Sequence, residues 1–142
     1  MFGRNNKLDT TWLAKVGFFE GFSDDQLAAA AELGERVEAE AGAELTDQGR
    51  YGDVAFVVVE GRANVLMNGD YVATVGSGSM VGEMSILERR PRNATVVAET
   101  DMVLVAFSTE AFRSLLDESP AAKERVLALL DARSRANAER RG

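Results

Sequence analysis

At 142 residues with 46% hydrophobic residues, the chain suits one domain built on one core. Cysteine and histidine are both absent, which excludes disulfides, thiolate chemistry, imidazole metal sites and the histidine base of serine triads, and leaves an enzyme only carboxylate or lysine chemistry. The net charge of -7 disfavours direct contact with nucleic acid, and its field mildly opposes any anionic ligand, so such a ligand must be held by short-range contacts.

No apolar run approaches the roughly 20 residues that span a bilayer. The start, MFGRNNKLDTTW, lacks the apolar stretch of a signal peptide, so the expected location is cytoplasmic with no membrane partner. Leu8 to Val16 patterns as a short amphipathic helix with Trp12, Leu13 and Val16 on one side. Ser23-Asp24-Asp25-Gln26 is a capping box, and Phe22 with Leu27 forms a hydrophobic staple around it. Together they specify a helix from Asp24 to about Leu33, ended by Gly34.

From Arg36 the hydrophobic period falls near two, and Gly42, Gly49, Gly52, Gly61, Gly69, Gly76 and Gly78 punctuate short runs, which indicates an antiparallel all-β unit. Asp53 to Glu60, DVAFVVVE, is apolar enough to expect burial on both faces. Asn68-Gly69 between Arg62–Met67 and Asp70–Val75 predicts a tight hairpin, because both turn positions accept positive φ. Thr95–Ala98 and Met102–Phe107 read as closing strands joined at Thr100-Asp101. Ser108 caps a helix in which Ala111, Phe112, Leu115 and Leu116 recur at helical spacing. Ser119-Pro120 stops it and starts another, with Val126, Leu127, Leu129 and Leu130 as its apolar positions. Beyond Leu130 the sequence is polar all round, and an apolar seam of under two heptads is short for a coiled coil, so a monomer or weak homodimer is expected.

The stretch Val81 to Ala98, VGEMSILERRPRNATVVA, concentrates chemistry. Gly82 opens backbone angles closed to other residues, and Glu83 to Leu87 reads as a single helical turn whose first amides lack partners. Such amides suit a phosphate, and Arg92 after the Glu88-Arg89-Arg90-Pro91 turn supplies a bidentate guanidinium. Arg89 and Arg90 read as solvated turn residues. Glu83 would repel a phosphate unless the ligand also carries a hydroxyl for it to accept from, as a ribose 2'-OH does. Phosphate plus sugar indicates a nucleotide. Against this stand two plainer readings: Arg92 as a solvated surface arginine, and Glu83 as a first-turn carboxylate worth only about 0.3 to 1 kcal/mol against the helix dipole.

Gly82-Glu83-Met84-Ser85-Ile86-Leu87 followed by Pro91-Arg92-Asn93-Ala94-Thr95-Val96 resembles the phosphate-binding cassette of the cyclic nucleotide-binding domain family, found in catabolite-activator-type regulators, protein kinase A regulatory subunits and gated channels. Gly52-Asp53 and Glu60-Gly61 fit the same pattern, so the resemblance runs from about Leu13 to Leu130. It implies a mainly β fold with flanking helices, a jelly-roll-like antiparallel β-roll at about 35–107 with the cassette inserted at 81–95. N-terminal helices at about 8–33 and C-terminal helices at about 109–138 complete a single domain over 1–142. It implies Gly82, Glu83, Met84, Ser85, Arg92, Asn93 and Ala94 as ligand-binding residues, with Arg92 on the phosphate, Glu83 on the ribose, and the amides around Ser85 and Ala94 facing the phosphate. No catalytic residue, metal or cofactor is implied.

Asn93 departs from the family, where Ala, Ser or Thr often follows the arginine and Ser or Thr is linked with cyclic GMP. Its amide suits either a phosphate oxygen or a guanine edge, which leaves base preference open; cyclic AMP is expected first and cyclic GMP second. Val81, often aromatic in the family, reads as a core substitution. Many members cap the base with an apolar or aromatic residue of the C-terminal helix, but nothing after Phe112 is aromatic, leaving Leu129, Leu130, Arg133 and Arg135 as alternatives.

The expected function is therefore a stand-alone regulatory sensor that binds a cyclic nucleotide and signals through its C-terminal helices to an effector protein. The alternative is a degenerate domain of the same fold that binds only protein. An enzyme using Glu83 would need a second acid, and none is placed for it, so no enzymatic activity is expected. Regulators of this family that bind DNA continue into a helix-turn-helix, whereas about a dozen residues follow Leu130, so no direct nucleic-acid partner is expected.

Overall fold

Two strands are apolar at nearly every position, and the fold is arranged so that both of their faces are covered. The computed structural model describes residues 3–4, 8–46, 48–49, 53–82 and 94–128. In chain order the strands are β1 (Gly3–Arg4), β2 (Glu35–Ala39), β3 (Glu44–Thr46), β4 (Val54–Glu60), β5 (Ala63–Met67), β6 (Asp70–Val75), β7 (Met80–Val81), β8 (Thr95–Ala98) and β9 (Met102–Ser108). The helices are α1 (Thr10–Leu13), α2 (Asp24–Leu33), α3 (Thr109–Glu118) and α4 (120–128), with a 3-10 turn at Gly17–Phe19.

All described strand pairings are antiparallel. They build a five-stranded sheet in the order β1-β2-β9-β4-β7 and a four-stranded sheet in the order β3-β8-β5-β6. β4 and β9 lie at the heart of the first sheet, in register from Val54 opposite Ser108 through Val57 opposite Val105. Because side chains alternate along a strand, each serves two cores. Ala55, Val57, Val105 and Phe107 face the helices with Leu13, Phe18, Phe19, Phe22, Leu27, Phe112 and Leu115. Phe56, Val58, Met102 and Leu104 face the other sheet with Val37, Leu45, Ala63, Val81, Val96 and Ala98. The β-roll with flanking helices is present as expected, arranged as three layers, and the Ala55–Val58 centre of DVAFVVVE is buried on both faces.

Local signals explain the helix starts and the hairpin. Ser23 accepts from the Gln26 amide at 3.2 Å while the Gln26 side chain accepts from the Ser23 amide at 2.9 Å, completing the capping box. The β5–β6 turn holds Asn68 at φ 52 and Gly69 at φ 83. Ser108 caps α3 by accepting from the Ala111 amide, and Ser119 caps α4 by accepting from the Ala122 amide. At Gly34 the constraint is space: a Cβ there would lie 2.9 Å from both Phe107 Cε1 and Val105 Cγ1, so α2 seats against β9 only through a glycine.

Two expectations are corrected and one strand is added. The helix expected over Leu8 to Val16 is the single turn α1, because the Asp9 carboxylate accepts from the Thr11 amide and starts it there, and the chain turns away after Leu13 into the 3-10 turn. Its apolar residues still meet the core: Leu8, Leu13 and Val16 are buried, with Trp12 packed against them. β1, which pairs Gly3 with Glu38 and Arg4 with Val37, was not expected. Leu127 is 55% exposed and stands apart from Val126, which is 1% exposed, so the apolar face of α4 is narrower than its composition implies. No described helix is long and apolar enough to cross a membrane.

Candidate functional site

The expected phosphate segment leaves one sheet and returns on the other. Its first residue, Gly82, follows β7 on the edge of the five-stranded sheet, where Val81 lies opposite Phe56 and Met80 opposite Val57. Gly82 has φ 87, a left-handed conformation that disfavours any residue with a Cβ, so the glycine is required by the backbone path out of β7. At the other end Ala94 is buried, 5% exposed, and leads directly into β8 in the interior of the four-stranded sheet. Val81 and Val96 both enter the core between the sheets, which fixes the two ends to the same packed interior. Glu83, Met84, Ser85, Arg92 and Asn93 lie outside the described residues, as do the base-capping alternatives Leu129, Leu130, Arg133 and Arg135.

The Ala94 end is held by polar contacts as well. The Thr46 hydroxyl, on a residue 6% exposed, donates to the Ala94 carbonyl at 3.0 Å. The Gln48 amide donates to Thr95 Oγ1 at 3.0 Å. The Gln48 side chain then pairs with Asn68 in both directions: Nε2 donates to Asn68 Oδ1 at 3.1 Å, and Oε1 accepts from the Asn68 amide at 2.8 Å. These contacts tie the exit of β3, the start of β8 and the β5–β6 turn together at one end of the four-stranded sheet.

Sequence reasoning missed Thr46, Gln48 and Asn68 as supports of the site, and no local pattern marks them, since each bond spans 20 to 48 residues. It also missed Arg125. The guanidinium of this α4 residue donates to the carbonyls of Gly17 at 3.0 Å, Phe18 at 2.6 Å and Glu20 at 2.8 Å, and lies 6.0 Å from the Phe18 ring centroid. One side chain thereby fastens the C-terminal helix to the end of the N-terminal 3-10 turn.

A separate open depression of about 470 Å³ is lined by Glu38, Glu40, Glu60 and Asp101 together with Ala39, Met102 and Val103. Four carboxylates and no basic lining residue make it hostile to a phosphate. Among the described residues no group of three or more acidic, histidine or cysteine side chains is arranged to hold a metal ion.

The family model of the cyclic nucleotide-binding domain matches residues 36–119, from β2 to the end of α3, and so includes both ends of the phosphate segment. A Pycsar effector protein of Xanthomonas perforans is 34% identical over 102 residues, covering 71% of this chain and 34% of that protein. A cyclic nucleotide-gated potassium channel of Rhizobium etli is 36% identical over 86 residues, covering 61% of this chain and 24% of the channel. The chain therefore spans about a third of the first relative and about a quarter of the second. Among solved structures, a cyclic nucleotide-binding domain from Methylobacillus flagellatus has a TM-score of 0.81 at 25% identity, covering 98% of this chain and 86% of that one.

Proposed function

The chain belongs to the cyclic nucleotide-binding domain family, and from that premise we propose that it binds a cyclic nucleotide, cyclic AMP ahead of cyclic GMP, as a regulatory sensor. The observation that carries the reading is the left-handed Gly82, with φ 87, at the point where the chain leaves β7 for the phosphate segment. A phosphate approaching there meets no Cβ, and the same glycine opens the motif in which the family's carboxylate and arginine follow. Arg92 takes the phosphate as a bidentate pair, and the amides near Ser85 and Ala94 donate to its remaining oxygens. Glu83 accepts from the ribose 2'-OH, and Met84 and Asn93 complete the contact set. Short-range contacts of this kind bind against the unfavourable field of a chain with net charge -7.

The reaction class is binding, with no catalytic residue. Ligand binding would be passed through α3 and α4 to an effector protein. Cytoplasmic location, a monomer or weak homodimer, and a single domain spanning the chain belong to the same proposal. Calorimetric titration with cyclic AMP, cyclic GMP, cyclic CMP and cyclic UMP tests it, because phosphate and ribose contacts are shared by all four and only the base differs. Arg92→Ala is expected to lower affinity by about 2 to 5 kcal/mol, on the order of thirtyfold to several thousandfold. Parent-like affinity in that variant would sink the assignment. Chromatography of nucleotide incubated with the protein is expected to recover it intact.

A second reading, a domain that has lost its ligand and binds only protein, is favoured by Asn93 and by the lack of an aromatic residue after Phe112 to cap a base. Silence toward all four nucleotides at high micromolar concentration would select it.

A further inference from the structure

We infer that Thr46 is a positioning residue for the phosphate of the bound nucleotide, acting through the carbonyl of Ala94; the inference rests on the cyclic-nucleotide reading of the site. Thr46 and Ser119 are the two buried polar residues among those described. Ser119 is accounted for as the cap of α4. Thr46 is 6% exposed and follows Leu45, which enters the aliphatic core between the sheets, and a valine of the same shape would avoid burying a hydroxyl at all. Its hydroxyl donates to the Ala94 carbonyl, 48 residues away.

The backbone explains why a side chain is used there. The β3–β8 ladder is irregular at this point, with Glu44 opposite Val97 but Thr46 opposite Val96, so the register slips by a residue beside the phosphate segment. Such irregularities disrupt the regular amide-to-carbonyl pairing. Side chains fill the gap. The Thr46 hydroxyl bonds the Ala94 carbonyl, and Thr95 Oγ1 takes the Gln48 amide one residue further on. The reciprocal Gln48–Asn68 pair then braces this corner against the β5–β6 turn.

With its carbonyl held on one side and its Cβ buried on the other, Ala94 has its Cα and nitrogen fixed in place, which sets the position of the amide that is proposed to donate to the phosphate. Binding a ligand to a group already held loses less entropy than ordering it at the moment of binding. Removing the Thr46 hydroxyl should therefore weaken nucleotide binding even where the fold survives.

The test compares Thr46→Val and Thr46→Ser in the full chain, by calorimetric titration with whichever of the four cyclic nucleotides the parent binds and by thermal unfolding without ligand. Valine keeps the shape and loses the hydroxyl, whereas serine keeps the hydroxyl and loses a methyl. The expected pattern is a crossing one. Thr46→Val stays folded and binds about three- to tenfold more weakly, the range for one lost neutral hydrogen bond; Thr46→Ser melts earlier and binds within about twofold of the parent. A purely structural role would lower the melting temperature of both and leave the affinity of the folded protein alone. Parent-like affinity in Thr46→Val overturns this inference while leaving the nucleotide reading intact. Silence of the parent toward all four nucleotides overturns that reading and the phosphate role together. Amide hydrogen exchange gives a readout independent of ligand: Thr46→Val is expected to speed exchange at Thr95, whose N–H shares a peptide plane with the Ala94 carbonyl, and unchanged exchange there would overturn the positioning role on its own.

Discussion

The five-stranded sheet separates two cores of different material. On its helical face Phe18, Phe19, Phe22, Phe107 and Phe112 pack together, with Phe18–Phe19 and Phe19–Phe22 edge to face at centroid distances of 5.1 and 5.3 Å. On the face toward the second sheet, Phe56 is the one aromatic among the described core residues, and valine, alanine, leucine and methionine supply the rest. The aromatic side gains area and fixed ring geometry. The aliphatic side keeps the two sheets close, and both ends of the phosphate segment are anchored there. Large rigid side chains hold the helices, while the inter-sheet half relies on mainly aliphatic residues plus a few placed hydrogen bonds.

If that division is right, equally buried positions should differ in what their truncation costs. Phe107→Ala, on a side chain with no exposure, is expected to destabilise by about 3 to 5 kcal/mol in urea unfolding. Val58→Ala, equally buried but facing the second sheet, should cost about 2 kcal/mol, the transfer of two methyl groups plus a small cavity. Equal losses would break the comparison.

The connection between the two halves is the next place to press. Gly61 joins β4 of one sheet to β5 of the other with φ 88, and a Cβ there would run into the Asp101 carbonyl and lie 2.9 Å from Thr100 Oγ1. Gly61→Ala should cost about 2 kcal/mol or more, since left-handed strain and a backbone clash act together. Gly69→Ala, with φ 83 but nothing within 4 Å, carries the strain alone and should cost about 1 kcal/mol. The gap between the two melting curves measures how tightly the sheets close at Gly61.

What the sequence revealed follows the range of the forces involved. The α2 capping box, the Asn68-Gly69 turn and the doubly buried β4 were legible because each is decided within a few residues. Helix α1 was over-read because apolar spacing persists through Val16 while the Asp9 cap and the 3-10 turn limit the helix to one turn. β1 was invisible because two residues carry no period, and its pairing depends on β2 more than thirty residues away. In the candidate site, Gly82 was legible as the start of a motif. Thr46 was not, because a threonine in a three-residue strand reads as an ordinary strand former until the β3–β8 slip places its hydroxyl against Ala94.

Arg125 tests whether the helical layer can loosen without the sheet. Its three bonds end on carbonyls at and just after the 3-10 turn, where carbonyls carry partial negative charge; that of Gly17 also accepts from the Glu20 amide. The side chain is half-exposed, so solvent competes for these bonds, and Arg125→Ala is expected to cost about 1 kcal/mol, below the usual range for fully buried charged hydrogen bonds. Arg125→Lys should not restore it, because a single ammonium cannot reproduce the planar fork that reaches three carbonyls. The loss should be local. Val126 and Ala122 still anchor α4 in the aromatic core, so amide exchange is expected to speed up about fivefold across 120–128 while β4 and β9 keep their protection. An equal loss of protection in β4 would mean that helix and sheet open as one unit, and a movement of α4 could then not carry a signal without loosening the roll itself.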